Sequence, residues 1–140
     1  MPQQDIQEQI NTNYLGSLYL LQESHPYLKE SKGELLLFSS SSYTRGRAGY
    51  AVYSSTKAAL VNLVQAISEE WFYDGIRINV IVPERTATPM RLQNFGVEPE
   101  QTLLSTEFVA QKTLEALLSV STGQIFEIRK LDERKISNHE

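Results

Sequence analysis

The chain has 140 residues, a net charge of −4 and 41% hydrophobic residues, which is enough for one domain with a buried core. It has no cysteine, only two widely separated histidines and no lysine- or arginine-rich stripe, so disulfides are excluded and neither a metal site nor a nucleic-acid partner is expected. No apolar stretch is long enough to span a membrane and the polar N-terminus has no signal core, so we expect a cytoplasmic protein without a membrane segment.

Helical and strand patterns alternate along the first half of the chain. Apolar residues recur at helical spacing over 4–29 and predict one long helix. The short apolar run ELLLF, at 34–38, is typical of a strand that is covered on both faces. A loop rich in Ser, Gly and Arg follows at 39–49, and a second helical pattern covers about 50–73.

The second half continues the alternation. Another buried-type strand is predicted at 77–82, followed by a long loop at 84–104 that has room for a short helix. A third helix is predicted at 107–118 and a last strand at 124–128. The tail at 130–140 is highly charged, and we predict that it is disordered.

The order α-β-α-β-loop-α-β predicts an α/β fold with a parallel sheet and right-handed crossovers. Ligands of such sheets bind at the carboxyl ends of the strands. The serines at 39–42 follow the first strand, residues 83–90 follow the second, and Tyr53 and Lys57 lie in the first turns of the helix between them. The candidate chemistry is therefore expected at one edge of the sheet.

Tyr53 and Lys57 are four residues apart and so share one helix face. An ammonium beside a phenol favours the phenolate and lowers the tyrosine pKa, which suits proton transfer to or from a substrate oxygen. A nearby serine hydroxyl could hold the same oxygen. These groups together can interconvert an alcohol and a carbonyl, with the hydride supplied by a nicotinamide cofactor because no side chain supplies one.

Six motifs spaced along the chain carry a family resemblance. In chain order they are TNYLG at 12–16, FSSSS at 38–42, YSSTK at 53–57, GIRINVIVP at 75–83, TATPM at 86–90 and TGQIFEI at 122–128. As an ordered set, they make the chain resemble the short-chain dehydrogenase/reductase family over about residues 5–129. The resemblance implies a partial domain over 1–129, the C-terminal half of a Rossmann-like doubly wound parallel sheet.

The resemblance also implies catalytic roles. Tyr53 would be the acid/base, and Lys57 would lower its pKa and bind the nicotinamide ribose. Ser40 stands thirteen residues before Tyr53, as the family pattern has it, and would orient the substrate. Spacing alone leaves the neighbouring serines open as alternatives: Ser39, Ser41 and Ser42.

Three further residues receive implied roles. Asn13, 27 residues before Ser40, would hold a water on a proton-relay path to the lysine. The cofactor, NADP or NAD, would meet the backbone of Thr86 and the hydroxyl of Thr88. Each of these residues has an ordinary alternative, a solvated helix position for Asn13 and plain loop threonines for the other two.

The sequence departs from the family pattern in two places. The phosphate-binding glycine loop, T-G-x-x-x-G-x-G, is absent, together with the residue that chooses between NAD and NADP. We therefore expect a truncated domain, or one that another chain completes. Glu84 stands where the family usually has glycine, and we expect it to change the wall of the nicotinamide pocket.

The segment VPERTATPMR, at 82–91, resembles the reductase part of bifunctional bacterial proteins that join a cytidylyltransferase to a short-chain reductase. In that subgroup the reductase converts ribulose 5-phosphate to a pentitol phosphate for CDP-ribitol synthesis. Guanidinium groups suit phosphate, and solvated loop arginines are the alternative for each of four candidates. These substrate candidates are Arg45, Arg47, Arg85 and Arg91.

Two functions remain open from the sequence. One is the catalytic half of an NAD(P)-dependent reductase of a small carbonyl substrate. The other is an inactive module that acts through homodimerisation. The resemblance implies a homodimer in both cases, through helices 4–29 and 50–73, because small residues on the second helix permit close packing. These small residues are Ser54, Ser55, Ala58, Ala59 and Ala66.

Overall fold

The computed structural model describes residues 2–46 and 48–137, in which helices and strands alternate. The helices are α1 (Gln3–Ile10), α2 (Gly16–Ser31), α3 (Ala51–Glu70), α4 (Pro89–Phe95), α5 (Thr106–Leu117) and α6 (Lys130–Ser137), and the strands are β1 (Glu34–Phe38), β2 (Arg77–Pro83) and β3 (Ile125–Ile128). Single turns of 3-10 helix lie at Ser41–Thr44, Phe72–Asp74 and Glu100–Thr102. None of the helices in the described ranges is both long and apolar enough to cross a membrane.

The three strands form a parallel sheet in the order β1-β2-β3, which confirms the predicted α/β class and the partial Rossmann-like architecture. Leu35 pairs with Ile78, and Val80 pairs with Ile125. The central strand β2 is buried on both faces, as its run of β-branched residues predicts. The carboxyl ends of β1 and β2 therefore lie side by side at one edge of the sheet.

Apolar side chains cover both faces of the sheet. On one face, α2 and α3 contribute most of the core, together with alternate residues of β2: Leu21, Leu60, Val61, Val64, Trp71, Ile78, Val80 and Val82. On the other face, α5 packs through a smaller group: Ile81, Leu104, Phe108, Ala116 and Ile128. The sheet is therefore the middle layer between two helical layers, and this arrangement fixes α3 beside the ends of β1 and β2.

The first predicted helix is not continuous. A π-helical turn, Asn11–Leu15, separates α1 from α2. The Ser17 hydroxyl donates a hydrogen bond of 3.0 Å to the carbonyl oxygen of Asn13, inside this turn. Asparagine is a poor helix former because its side chain competes for backbone hydrogen bonds, and a π turn widens the helix locally. The interruption contains Asn13, for which the sequence analysis predicted a functional role.

The prediction of a disordered tail is wrong for residues 130–137, which form α6. The backbone N–H of Lys130 donates to the Glu84 carboxylate at 2.9 Å, and Glu133 accepts from the backbone N–H of Ser105 at 3.0 Å. Charge composition predicted disorder, but the Glu133 carboxylate and the backbone of Lys130 have partners elsewhere in the fold. The rest of the predicted tail, 138–140, lies outside the described residues.

Candidate active site

The end of β1 is joined to α3 by two hydrogen bonds. The buried hydroxyl of Ser39 donates to the backbone carbonyl of Lys57 at 2.8 Å, and the Lys57 ammonium donates to the carbonyl of Phe38 at 2.9 Å. These bonds anchor the second turn of α3 to the carboxyl end of β1. The helix can therefore present its first two turns at the edge of the sheet where parallel α/β sheets bind ligands.

Tyr53 and Lys57 lie on the same flank of α3. The lysine ammonium is 5.7 Å from the centre of the Tyr53 ring, and both side chains are partly exposed. Burial lowers the pKa of Lys57. Within residues 2–46 and 48–137 the Tyr53 hydroxyl makes no hydrogen bond, so it can meet an oxygen brought by a substrate. The predicted pairing of a phenol and an amine on one accessible flank is present.

The serines that follow β1 differ in their surroundings. Ser40 caps the start of the 3-10 turn, and its hydroxyl oxygen accepts from the Ser42 backbone N–H at 3.3 Å and from the Ser42 hydroxyl at 3.0 Å. Ser39 and Ser42 are buried, whereas Ser40 is partly exposed. Because a hydroxyl can accept twice and donate once, Ser40 still has a proton to donate. The geometry therefore favours Ser40 over Ser39 and Ser42 as the serine that faces a ligand.

Asn13 approaches the site through a residue that the sequence reasoning missed. Its amide donates to the Thr56 hydroxyl at 3.2 Å, and that hydroxyl donates to the carbonyl oxygen of Tyr53 at 2.9 Å. Thr56 is buried between the two helices. Its place in the YSSTK motif, directly before Lys57, was the available signal. Asn13, Thr56 and Tyr53 thus form one hydrogen-bonded chain from the π turn to α3.

Residues 84–104 form a loop whose two ends are joined by backbone hydrogen bonds, and we call this junction the neck of the loop. The Leu104 N–H donates to the Arg85 carbonyl at 2.8 Å, and the Ala87 N–H donates to the Leu104 carbonyl at 2.9 Å. Thr86, between these residues, pairs with Leu104 as an isolated parallel bridge, and its hydroxyl donates to the carbonyl of Glu84. Thr88 caps α4 by accepting from the Arg91 N–H at 3.2 Å. Both predicted threonines therefore shape this segment.

Glu84, the residue that departs from the family pattern, has a contact at the C-terminal end of the described chain. Its carboxylate accepts from the Lys130 N–H at the start of α6, and its own N–H donates to the Ile128 carbonyl at 3.0 Å. A carboxylate is favourable at a helix N-terminus because of the helix dipole. The expectation that Glu84 alters the nicotinamide pocket is not tested by this contact, which instead connects β2 to α6.

The four predicted substrate arginines have different surroundings. Arg91 makes a bidentate pair with Glu98, at 2.6 and 2.9 Å, while the nearest Arg85 nitrogen is 3.8 Å from the same carboxylate. Hydrogen bonding to Arg91 lowers the pKa of Glu98. Arg45 is exposed at the end of the 3-10 turn. Arg47 lies outside the described residues.

Two aromatic residues join α4 to the start of α3. Tyr50 stacks on Phe95, with ring centres 5.7 Å apart and planes 6° from parallel. Tyr50 also meets Tyr53 edge-on, at 6.0 Å and 76°. Sequence reasoning missed Phe95, whose partner Tyr50 lies 45 positions earlier in the chain.

The family model for short-chain dehydrogenases matches residues 1–96, which is more than half of the chain. The chain belongs to the short-chain dehydrogenase/reductase family. The match includes the predicted motifs from TNYLG to TATPM and thus the four candidate catalytic residues Asn13, Ser40, Tyr53 and Lys57. The family is one of oxidoreductases, and its members use nicotinamide cofactors.

Curated relatives are considerably longer than this chain. A bifunctional ribulose 5-phosphate reductase/CDP-ribitol pyrophosphorylase of Haemophilus influenzae is 52% identical over 138 residues, which is 99% of this chain and 29% of that protein. A tropinone reductase homologue of Arabidopsis thaliana is 33% identical over 103 residues, which is 73% of this chain and 39% of the relative. The chain thus spans well under half of either short-chain reductase relative.

Solved short-chain dehydrogenases share the fold. A short chain dehydrogenase from Salmonella enterica superposes with a TM-score of 0.77 at 28% identity, covering 90% of this chain and 54% of that structure. A 3-ketoacyl-(acyl-carrier-protein) reductase from Brucella melitensis, complexed with NADH, gives a TM-score of 0.84 at 20% identity, covering 93% of this chain and 58% of that structure. The described elements therefore match just over half of a solved short-chain reductase.

Proposed function

We propose that this chain supplies the proton-transferring half of an NAD(P)-dependent short-chain reductase that converts ribulose 5-phosphate to ribitol 5-phosphate. The observation that carries the proposal is the placement of Tyr53 and Lys57 on one accessible flank of α3, beside Ser40 at the end of β1. The high identity to the Haemophilus influenzae reductase supports the choice of substrate.

Each side chain has a distinct task in this proposal. Tyr53 donates its phenolic proton to the carbonyl oxygen as the carbon is reduced, and Lys57 favours the resulting phenolate by its charge. Ser40 donates a hydrogen bond to the same oxygen and fixes its position. Asn13 holds the first turn of α3 through Thr56 and would hold a relay water on the path to Lys57.

The residues present fit one end of a nicotinamide cofactor. When bound, NADP or NAD supplies the hydride. Lys57 and Tyr53 would hold its ribose, and Thr86 and Thr88 lie after β2, where the amide and phosphate side would be bound. Because the 140 residues contain no glycine-rich phosphate loop, we infer that this chain alone binds the cofactor weakly. The phosphorylated substrate and the cofactor suit a cytoplasmic location.

A hybrid protein tests the function. The matched residues of this chain replace the corresponding segment of the Haemophilus influenzae protein, and oxidation of NADPH and NADH is followed with ribulose 5-phosphate. We expect turnover with one of the two cofactors, while the isolated chain binds both more weakly than about millimolar. An inactive hybrid, beside an unmodified relative that is active in the same assay, contradicts the reductase function and favours the alternative of an inactive module.

We also propose a homodimer through the outer faces of α1, α2 and α3, with or without catalysis. Tyr19 and Leu20 on α2 are 61% and 45% exposed, and Ala66 is exposed on α3. Large apolar side chains beside small ones can pack closely across a twofold axis. This surface supports a second copy as the occupant.

Light scattering at micromolar concentration tests the dimer. We expect about twice the mass of one chain for the unmodified protein, and a monomer for Ala66→Arg, which places a charged side chain in the contact. Val120→Arg, at an exposed position after α5, is the matched control and should remain dimeric. A monomeric unmodified chain removes the proposal.

A further inference from the structure

A continuous series of side-chain contacts connects the segment between Arg85 and Leu104 to the candidate acid/base. Glu98 binds Arg91 with two hydrogen bonds, and the Arg91 guanidinium lies 4.3 Å from the centre of the Phe95 ring. Phe95 stacks on Tyr50, which contacts Tyr53 edge-on. We call these five residues the tyrosine support.

The ion pair at the far end of the tyrosine support is well suited to fix its geometry. The side chains of Arg91 and Glu98 are only 19% and 18% exposed, so their interaction is less screened than that of a surface pair. Bidentate arginine–carboxylate pairs fix orientation as well as distance, and a guanidinium on an aromatic face adds an attractive contact. Arg91 is therefore held from two sides, by Glu98 and by Phe95.

The same pair organises the segment internally. Its ends are fixed by the hydrogen bonds of Leu104 to Arg85 and Ala87, and Arg91 on α4 is joined to Glu98 in the irregular stretch that follows. Because the two ends of the segment are fixed, a shift of α4 would displace Phe95 at its C-terminal end. Phe95 stacks on Tyr50, so the shift would also change the surroundings of Tyr53. The ion pair is thus in a position to affect the reactive ring without touching a ligand.

We propose that Arg91 and Glu98 are positioning residues that hold the Tyr53 ring through Phe95 and Tyr50, and that Arg85 is the arginine of this segment that meets the substrate phosphate. The proposal rests on the proposed function for the role of Tyr53 and for the phosphate. Arg85 is 59% exposed and stands 3.8 Å from Glu98, beyond hydrogen-bond distance, so it keeps its donors for an anion. Arg91 would have to break its two hydrogen bonds to Glu98 before it could bind a phosphate.

Solution NMR of the isolated chain with ¹³C-labelled tyrosine tests the positioning role without turnover. The Tyr53 ring signal is assigned by its loss in Tyr53→Phe. We expect Glu98→Gln and Arg91→Lys to move the Tyr53 signal, and Glu98→Asp, which keeps a carboxylate for Arg91, to move it less. Tyr14 is partly buried against the core formed by α2, α3 and β2, so its signal reports on the fold and should not move. Neither signal should move in Arg85→Lys.

An unmoved Tyr53 signal in Glu98→Gln, with the Tyr14 signal also unchanged, overturns the positioning role. A displaced Tyr14 signal in Glu98→Gln shows that the fold has changed, and Arg91→Lys then decides. An unmoved Tyr53 signal in Arg91→Lys, beside an unchanged Tyr14 signal, overturns the role equally. These readouts need neither cofactor nor reaction, so they remain decisive if the proposed function fails.

The assignment of the phosphate to Arg85 is tested by ¹⁵N spectra of the arginine side chains during titration with ribulose 5-phosphate, ribulose and inorganic phosphate at millimolar concentration. We expect the Arg85 signal to shift with the two phosphate-bearing probes and not with ribulose, while the Arg91 signal stays in place. A shift of Arg91 in place of Arg85, or no shift of Arg85, overturns the assignment.

Discussion

Replacing Tyr53 with phenylalanine in a complete version of the domain is expected to abolish turnover and to leave cofactor binding largely intact, because Lys57 remains to hold the ribose. The hydroxyl is the one group lost, because the ring contacts with Tyr50 and the hydrogen bond from Thr56 to the Tyr53 backbone are retained. Loss of a general acid costs a factor of roughly 10²–10⁴ in rate. The measurement is the rate of NADPH or NADH oxidation in the hybrid, together with cofactor fluorescence for binding.

Tyr73→Phe is the matched control for this prediction. Tyr73 is 93% exposed, beyond the C-terminal end of α3, and so loses the same hydroxyl far from the site. It should retain the full rate. A Tyr53→Phe protein that keeps more than about a tenth of the original rate contradicts the assignment of Tyr53 as the acid.

Replacing Lys57 with methionine is expected to lower the rate by about 100-fold and, at neutral pH, to raise the free energy of unfolding. Methionine is of similar length and carries no charge, so it removes the cost of burying an ammonium. The Phe38 carbonyl loses its donor, and because Phe38 is an exposed residue at the end of β1 we expect water to replace that donor. A functional charge held at a cost to stability is common in active sites.

The sign of the pH dependence follows from the lowered pKa of Lys57, which burial brings below its ordinary 10.5. Between the lowered pKa and 10.5 the unfolded chain binds more protons at this position than the folded chain does. The cost to folding is therefore fully present below the lowered pKa and disappears as the pH rises towards 10.5.

The stability advantage of Lys57→Met should accordingly shrink with rising pH. Denaturant unfolding of both proteins at a series of pH values from about 7 to 10 measures the difference. Lys112→Met, on the surface of α5 in a pair with Glu115, is the control and should not show this closing gap. A difference that stays constant or widens with pH would mean that burial of the ammonium is not the cause.

Local patterns predicted those parts of the fold that depend on local sequence. The β-branched residues of β2 indicated a buried parallel strand, and the helical spacing of Leu60 and Val64 indicated α3. The apolar run of β1 indicated a strand correctly, but not one covered on both faces: only Leu37 is buried, and Phe38 is exposed. The four-residue spacing of Tyr53 and Lys57 was enough to place them on one flank, because helix geometry fixes it.

Contacts between residues distant in sequence could not be predicted. The pairing of Phe95 with Tyr50 and the use of Thr56 by Asn13 depend on how α4 and the π turn pack against α3. The Arg91–Glu98 pair is closer in sequence, but an irregular loop gives no periodicity from which to infer it. The charged segment that forms α6 was misjudged because composition does not reveal that Ser105 is its partner.

The contacts of α6 tie the end of the described chain to the loop that carries the candidate substrate groups. Glu84, before the neck of that loop, binds the first turn of α6, and Arg134 donates to the carbonyl of Gln101 near the loop's far end. A homologue with glycine at the position of Glu84 has no carboxylate to offer there. The loop and α6 should therefore coevolve. A chimera that takes the loop from one homologue and α6 from another should lose the contacts between them.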